Sequence, residues 1–214
     1  MEIVNEDIEK YCEKLTTPQS PSLEELERVS HLRTTQGNMV SGGFQGTLLT
    51  IIASMIKAKN VLEIGTFTGY SAICLANGID KNGRVHTIDP DIEKRYIVEA
   101  FLKKTNNSDK VLIYNGLAQD IIQSELKNEL FDLVFIDADK ENYSLYFDLI
   151  IDKVIDSGII LVDNVLWKGK VIEENKDKKT AIIDAFNQKI AADNRVRQIL
   201  LPIRDGLMII QKNG

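Results

Sequence analysis

Val61-Leu-Glu-Ile-Gly-Thr-Phe-Thr-Gly69 is the stretch that decides the fold. Its first half is a short apolar run closed by a glycine, the pattern of a buried parallel strand. Its second half is a glycine-bounded turn that opens a helix. Three later runs also finish on an acidic residue: VHTID at Asp89, LVFID at Asp137, and ILVDN at Asp163 followed by Asn164. Ligands of open α/β sheets bind in the crevice beyond the carboxyl ends of the strands. Four carboxylates, Glu63, Asp89, Asp137 and Asp163, are therefore predicted along one sheet edge. Two are placed to grip a cofactor's sugar and two to hold a metal ion.

Outward from this stretch the chain alternates strand and helix. Strands are predicted near 60–65, 84–89, 111–115, 131–137 and 158–163, with helices starting near Gly69, Asp91, Ala118 and Glu141. Such alternation implies a parallel sheet covered on both faces. A helix near 178–193 then precedes RQILLPI and GLMIIQK, joined only through Arg204 and Asp205. So short a link cannot hold a crossover helix, so the last two strands should be antiparallel. Toward the N-terminus, residues 2–15 read as a polar amphipathic helix, broken by the two prolines of TTPQSPS. Ser22 and Glu25 have capping-box spacing for a second helix. Arg33 to Gly46 reads as a flexible glycine-rich loop, with a helix from Thr47 to about Lys57. The fold class expected is α/β: a Rossmann-like, doubly wound, seven-stranded, mostly parallel sheet with an antiparallel C-terminal strand and an N-terminal helical extension.

The 214 residues suit one domain, and the net charge of −6 argues against a nucleic-acid surface while leaving room for a local basic patch. No apolar stretch reaches membrane-spanning length, and the acidic start MEIVNEDIEK is not a signal peptide, so cytoplasmic residence is expected. The two cysteines, Cys12 and Cys74, have no paired spacing, and Cys74 reads as a small apolar residue on a buried helix face.

A dinucleotide-binding turn would read GxGxxG, letting the backbone approach a pyrophosphate. Here the glycines lie four apart with bulky Phe67 between them, which suits a ligand without phosphates. Glu63 precedes the first glycine by two residues, near where cationic or hydroxyl groups of a cofactor could lie. Asp89 ends the second strand, about 20 residues beyond the turn, where an acidic side chain reads ribose hydroxyls.

The ExGxxxG turn with its acidic strand end resembles the S-adenosylmethionine-dependent methyltransferases. Three further motifs narrow the resemblance: Met39-Val-Ser-Gly-Gly-Phe-Gln-Gly46, Phe135-Ile-Asp-Ala-Asp-Lys140 and Asp163-Asn164-Val-Leu-Trp-Lys-Gly169. In this order they resemble the cation-dependent O-methyltransferases, the group of catechol and caffeoyl-CoA O-methyltransferases, from about Arg33 onward. The resemblance implies one class I methyltransferase domain over 1–214, with a helical cap region at 1–58 and a Rossmann-like core at 59–214. It implies S-adenosyl-L-methionine as cofactor. Glu63, Gly65 and Thr66 would lie along its methionine and ribose part, and Ser71 and Ser41 at its amino-acid end. Asp89 would take the ribose hydroxyls, Ala118 would meet adenine through its backbone, and Asp137 would adjoin both cofactor and acceptor. Gln45 departs from the acidic residue usual in plant relatives, which leaves the role of position 45 open. Homodimers are common in the family; the N-terminal helices and final strands are the candidate contacts here.

If the strands ending at Asp137 and Asp163 are neighbours, they lie about 4.8 Å apart, and the two carboxylates can converge on one divalent ion. Asn164 adds a neutral oxygen. An all-oxygen set suits Mg²⁺, with Mn²⁺ or Ca²⁺ as substitutes. N-capping by these aspartates is the competing explanation. Neither His31 nor His86 joins the cluster, and His86 reads as a strand filler. Lys140, three residues after Asp137, can face the same site; the resemblance makes it the general base, the alternative being a surface lysine opening a helix. Trp167 could flank a substrate ring or anchor packing, and Tyr143 and Tyr146 read mainly as helical core.

The function expected is metal-dependent methyl transfer to a hydroxyl of a catechol-like or caffeoyl-type aromatic diol. Methylation of a hydroxylated uridine in tRNA is the alternative, with Lys168 to Lys179 as candidate approach surface. A non-catalytic cofactor-binding protein would need neither a metal set nor Lys140, and a nicotinamide oxidoreductase lacks its GxGxxG.

Overall fold

The computed structural model describes residues 3–214, the Asn38 side chain aside. Helices α1 (Glu6–Leu15), α2 (Pro21–Arg33) and α3 (Gly42–Met55) lead into the alternating part. It runs β1 (Asn60–Ile64), α4 (Tyr70–Gly78), β2 (Arg84–Asp89), α5 (Arg95–Lys104), β3 (Val111–Asn115), α6 (Ala118–Gln123), β4 (Phe131–Ile136), α7 (Tyr143–Ile150), β5 (Val154–Asp163), α8 (Lys178–Ala191), β6 (Val196–Leu201) and β7 (Leu207–Lys212). The sheet has seven strands in the order β3-β2-β1-β4-β5-β7-β6. The pairs from β3 to β5 are parallel, and β7 runs antiparallel to both β5 and β6. This is the expected fold class.

Apolar residues on both sides of each central strand explain why the sheet is covered twice. In β4, Leu133 and Phe135 pack with α2, α3, α4 and α5, whereas Val134 and Ile136 pack with α6, α7 and α8. Each fully buried Leu, Ile or Phe contributes roughly 1.5–3 kcal/mol against leaving it in water. Among the described residues no helix is long and apolar enough to cross a membrane.

The helical extension differs from its sequence reading in three places. The expected start of the first helix at residue 2 lies outside the described residues; α1 begins at Glu6 behind Asn5, whose side chain accepts from Asp7 N. The cap of α2 is Ser20, not Ser22, with Pro21 at the first helical position, where a missing N–H costs nothing. Gly42 to Gly46 is helix, not flexible loop. A Cβ on Gly46 would stand 2.7 Å from Cys74 Sγ and 2.8 Å from a ring carbon of Tyr70. These glycines let α3 approach α4 closely, and that packing outweighs their poor helix propensity. Farther on, β5 starts at Val154, four residues earlier than expected, with a register shift opposite Phe131 and Leu133.

Candidate functional site

The order of strands reverses between β1 and β4, so a crevice opens beyond their tips. Gly65 directly follows β1 with φ 107°, and a Cβ there would lie 2.1 Å from the Asp137 carbonyl oxygen. Glycine alone fits. Phe67 and Gly69 also take positive φ, at 49° and 84°. The strained Phe67 is held because its N–H donates to Asp89 Oδ2 at 2.8 Å; Asp89 Oδ1 accepts from Asp91 N at 2.8 Å. Asp89 therefore shapes the turn as well as facing the cavity.

That cavity is about 360 Å³ and is walled by Gly65, Phe67, Asp89, Leu117, Ala118, Asp137 and Tyr146, among others. A second of about 610 Å³ is walled by Ser41, Asp137, Lys140, Asp163, Asn164, Trp167 and Arg204. Met39, Asp137, Ala138 and Asp139 line both, so Asp137 stands at their junction. A small pocket between Ser41, Gly65, Thr66, Ser71 and Asp137 lies beside them. Seven of the eight residues expected around the cofactor thus line this connected space.

Glu63 is the exception: it lines none of these spaces. It shares the α4-facing side of β1 with Val61, because side chains alternate along a strand. Its carboxyl is wholly buried beneath the turn and lines none of the three spaces. Oε2 accepts from the Thr87 hydroxyl at 2.5 Å, Thr87 and Thr66 share a hydrogen bond of 2.6 Å, and Oε1 has no partner. Burial pushes the Glu63 carboxyl up to about 8, with help from the charges of Asp137 and Asp89 and against the Thr87 hydrogen bond.

On the other side of the crevice, Ile136 pairs with Val162. Asp137 and Asp163 are therefore the next residues at adjacent strand tips. Asp163 is 4% exposed. Its Oδ1 accepts from Asn164 N at 2.9 Å and its Oδ2 from Gln45 Nε2 at 2.8 Å, while the buried Tyr143 phenol donates to its carbonyl at 2.9 Å. Burial first, and then the Asp137 charge, raise the Asp163 carboxyl to about 6; Gln45, Arg204 and the Asn164 N–H oppose the rise. Asn164 takes φ 57°, a conformation asparagine tolerates better than most residues. Lys140 Nζ lies 2.9 Å from Asp137 Oδ1 and 5.0 Å from the centre of the Tyr143 ring. Both members of this ion pair are mostly buried. Among the described residues no three His, Cys, Asp or Glu side chains converge as a metal site; the candidate set is two carboxylates and one amide.

Trp167, Lys168 and Gly169 take φ of 48°, 56° and 76° in succession. Positive φ is costly at Trp167 and Lys168, which unlike Gly169 carry a Cβ, and such strain concentrates where a loop must hold a shape. The Lys168 N–H donates to Asp205, which ties this loop to the β6–β7 turn. Trp167 is half-buried and lines the second cavity. Tyr146, expected in helical core, also borders the first cavity, where its phenol donates to Asp139 Oδ1 at 2.5 Å. His86 is a buried filler within hydrogen-bond reach of the Tyr114 hydroxyl (2.9 Å), outside the site, as expected. The sequence left the role of Gln45 open and placed Arg204 in the link between the last two strands. No local spacing joins them to Asp163; only the folded chain does.

An open sheet with a glycine turn at its switch point, an acid beyond the second strand and two carboxylates across the crevice defines a Rossmann-like methyltransferase. The chain belongs to the O-methyltransferase family, whose model matches residues 13–213. It is 35% identical over 190 residues to tricin synthase 2 of Oryza sativa subsp. japonica, covering 83% of this chain and 65% of that protein. It is 34% identical over 196 residues to catechol O-methyltransferase domain-containing protein 1 of Mus musculus, covering 90% of this chain and 74% of that one. Among solved structures, the O-methyltransferase from Bacillus cereus in complex with SAH matches with a TM-score of 0.86 and 31% identity, over 97% of both chains.

Proposed function

We propose that the protein is a divalent-metal-dependent enzyme that moves the methyl group of S-adenosyl-L-methionine to one hydroxyl of a vicinal aromatic diol, of the catechol or caffeoyl type. The observation that carries this reading is the place of Asp137: between two cavities, beside buried Asp163 and in contact with Lys140. In this reading the first cavity takes the nucleoside, with Asp89 on the ribose hydroxyls and the Ala118 backbone at adenine. Ser41, Thr66 and Ser71 hold the amino-acid end. Gly65 lets the donor approach the turn, while Glu63 braces that turn from below.

The residues fit a hard cation. Asp137, Asp163 and Asn164 offer oxygen donors only, and two carboxylates whose charges oppose each other in a buried site gain from a positive ion between them. Bound there, Mg²⁺, or Mn²⁺ or Ca²⁺ in its place, would supply the positive charge that eases ionisation of a phenol. Trp167 flanks the aromatic ring. Lys140, once neutral, takes the phenolic proton on Nζ. The phenolic oxygen then forms its bond to the methyl carbon as the carbon–sulfur bond breaks, leaving S-adenosylhomocysteine and the methyl ether.

The working unit in this reading is the whole 1–214 domain, located in the cytoplasm and paired as a homodimer. Tyr11 and Leu15 of α1 and Ile51 and Met55 of α3 are exposed apolar side chains that a second copy would cover. The test is labelled-methyl transfer against a panel of catechols and undermodified tRNA, with and without chelator. Turnover of a catechol that stops in chelator and returns with Mg²⁺ supports the proposal. Transfer to tRNA alone moves the assignment to the hydroxyuridine reading. Cofactor binding without transfer to any acceptor favours the non-catalytic one.

A further inference from the structure

Arg204, in the turn between β6 and β7, holds φ 51°, a conformation unfavourable for a residue with a Cβ. Its side chain crosses to the other end of the sequence. Nη1 donates to the Ser41 carbonyl and, at 2.5 Å, to Gln45 Oε1. Gln45 is 2% exposed within α3, and its Nε2 donates to Asp163 Oδ2 at 2.8 Å. The direction of this chain is fixed. A guanidinium only donates, so it claims the amide oxygen and leaves the amide nitrogen for the carboxylate. Rotating the amide by half a turn would set its oxygen against Asp163 and its N–H₂ against Arg204.

We propose that Gln45 and Arg204 are positioning residues for Asp163: Arg204 orients the Gln45 amide, and the amide holds one Asp163 oxygen so that the carboxylate is preset to ligate the metal. The inference rests on the metal reading above. Groups that orient metal ligands from behind commonly matter 10–100-fold to metal affinity. Because Arg204 also holds the Ser41 carbonyl, the same side chain ties the wall of the small cofactor pocket to the metal side of the crevice.

The test is Mn²⁺ binding by electron paramagnetic resonance on the full chain saturated with S-adenosylhomocysteine, beside titration of that nucleoside itself. Gln45→Leu should weaken Mn²⁺ binding roughly 10–100-fold while nucleoside affinity moves less than about threefold. In turnover, KM for the metal should rise, with kcat at saturating metal nearly unchanged. Arg204→Met should weaken Mn²⁺ binding in the presence of Gln45, and the double variant should be no weaker than Gln45→Leu alone. Fully additive losses would overturn the relay. Wild-type Mn²⁺ affinity in Gln45→Leu, with affinity lost in an Asp163→Asn control, would overturn the proposal and leave the metal reading standing. Retained affinity in Asp163→Asn would remove both. If Gln45→Leu does not fold, Arg204→Met in the half-exposed turn decides: unchanged Mn²⁺ affinity there overturns the proposal.

Discussion

Gly65 and Asp137 meet where β1 and β4 end: a Cβ on residue 65 would stand 2.1 Å from the Asp137 carbonyl oxygen. Asp137 N also donates to Ile64 O at 3.0 Å, so the two strand tips are bound together at the point where both cavities join. Gly65→Ala should force these tips apart. We expect a loss of at least about 2 kcal/mol in stability, from the clash and the positive φ together. Cofactor binding should be lost in calorimetry even at temperatures where the variant stays folded.

Glu63 gives a pH signature. Its carboxyl is raised to about 8 in the folded protein, against an ordinary unfolded value near 4.5. Below the unfolded value both states carry the proton and folding is unpenalised. As pH rises toward 8 the unfolded chain sheds its proton first, so stability is lost across that window, on the order of a few kcal/mol. Glu63→Gln should flatten this slope. Thermal melts at pH 5 and pH 8 should show the variant gaining on the wild type as pH rises; parallel melts would contradict the assignment.

Lys140 lies 2.9 Å from Asp137 and lines the cavity of about 610 Å³ proposed for the acceptor. Lys140→Met should lower kcat by about 10²–10⁴-fold, the usual worth of a positioned general base. S-adenosylhomocysteine affinity should stay near wild type, because Lys140 lines neither the nucleoside cavity nor the small pocket.

Trp167 is held at positive φ on the cavity proposed for the acceptor. Trp167→Ala should raise the acceptor KM at least about tenfold, as loss of a large aromatic contact implies, and leave cofactor binding unchanged. A Trp167→Ala variant that melts early but keeps its acceptor KM would make the residue a packing anchor instead.

The sheet was legible because buried parallel strands are nearly continuous apolar runs, as Leu133 to Ile136 are, and because β2, β4 and β5 run into Asp89, Asp137 and Asp163. The metal candidates were legible for the same reason, since they directly follow those runs. Gly42 to Gly46 misled because glycine needed for close packing against Cys74 and Tyr70 looks, in one dimension, like glycine needed for flexibility. The burial of Glu63 was not legible, because a strand-end acid reads alike whether it faces the crevice or the helix behind it; the pairing with Thr87 shows which side it takes. Gln45 and Arg204 are 159 positions apart, and no spacing rule reaches across that distance.

The most direct measurement is the anomalous difference map of a crystal grown with S-adenosylhomocysteine and Mn²⁺. The account expects one strong peak about 2.1–2.3 Å from oxygens of Asp137, Asp163 and Asn164, on the acceptor-cavity side. A map with no peak there, or with these side chains turned from any common centre while the nucleoside is bound, would contradict it.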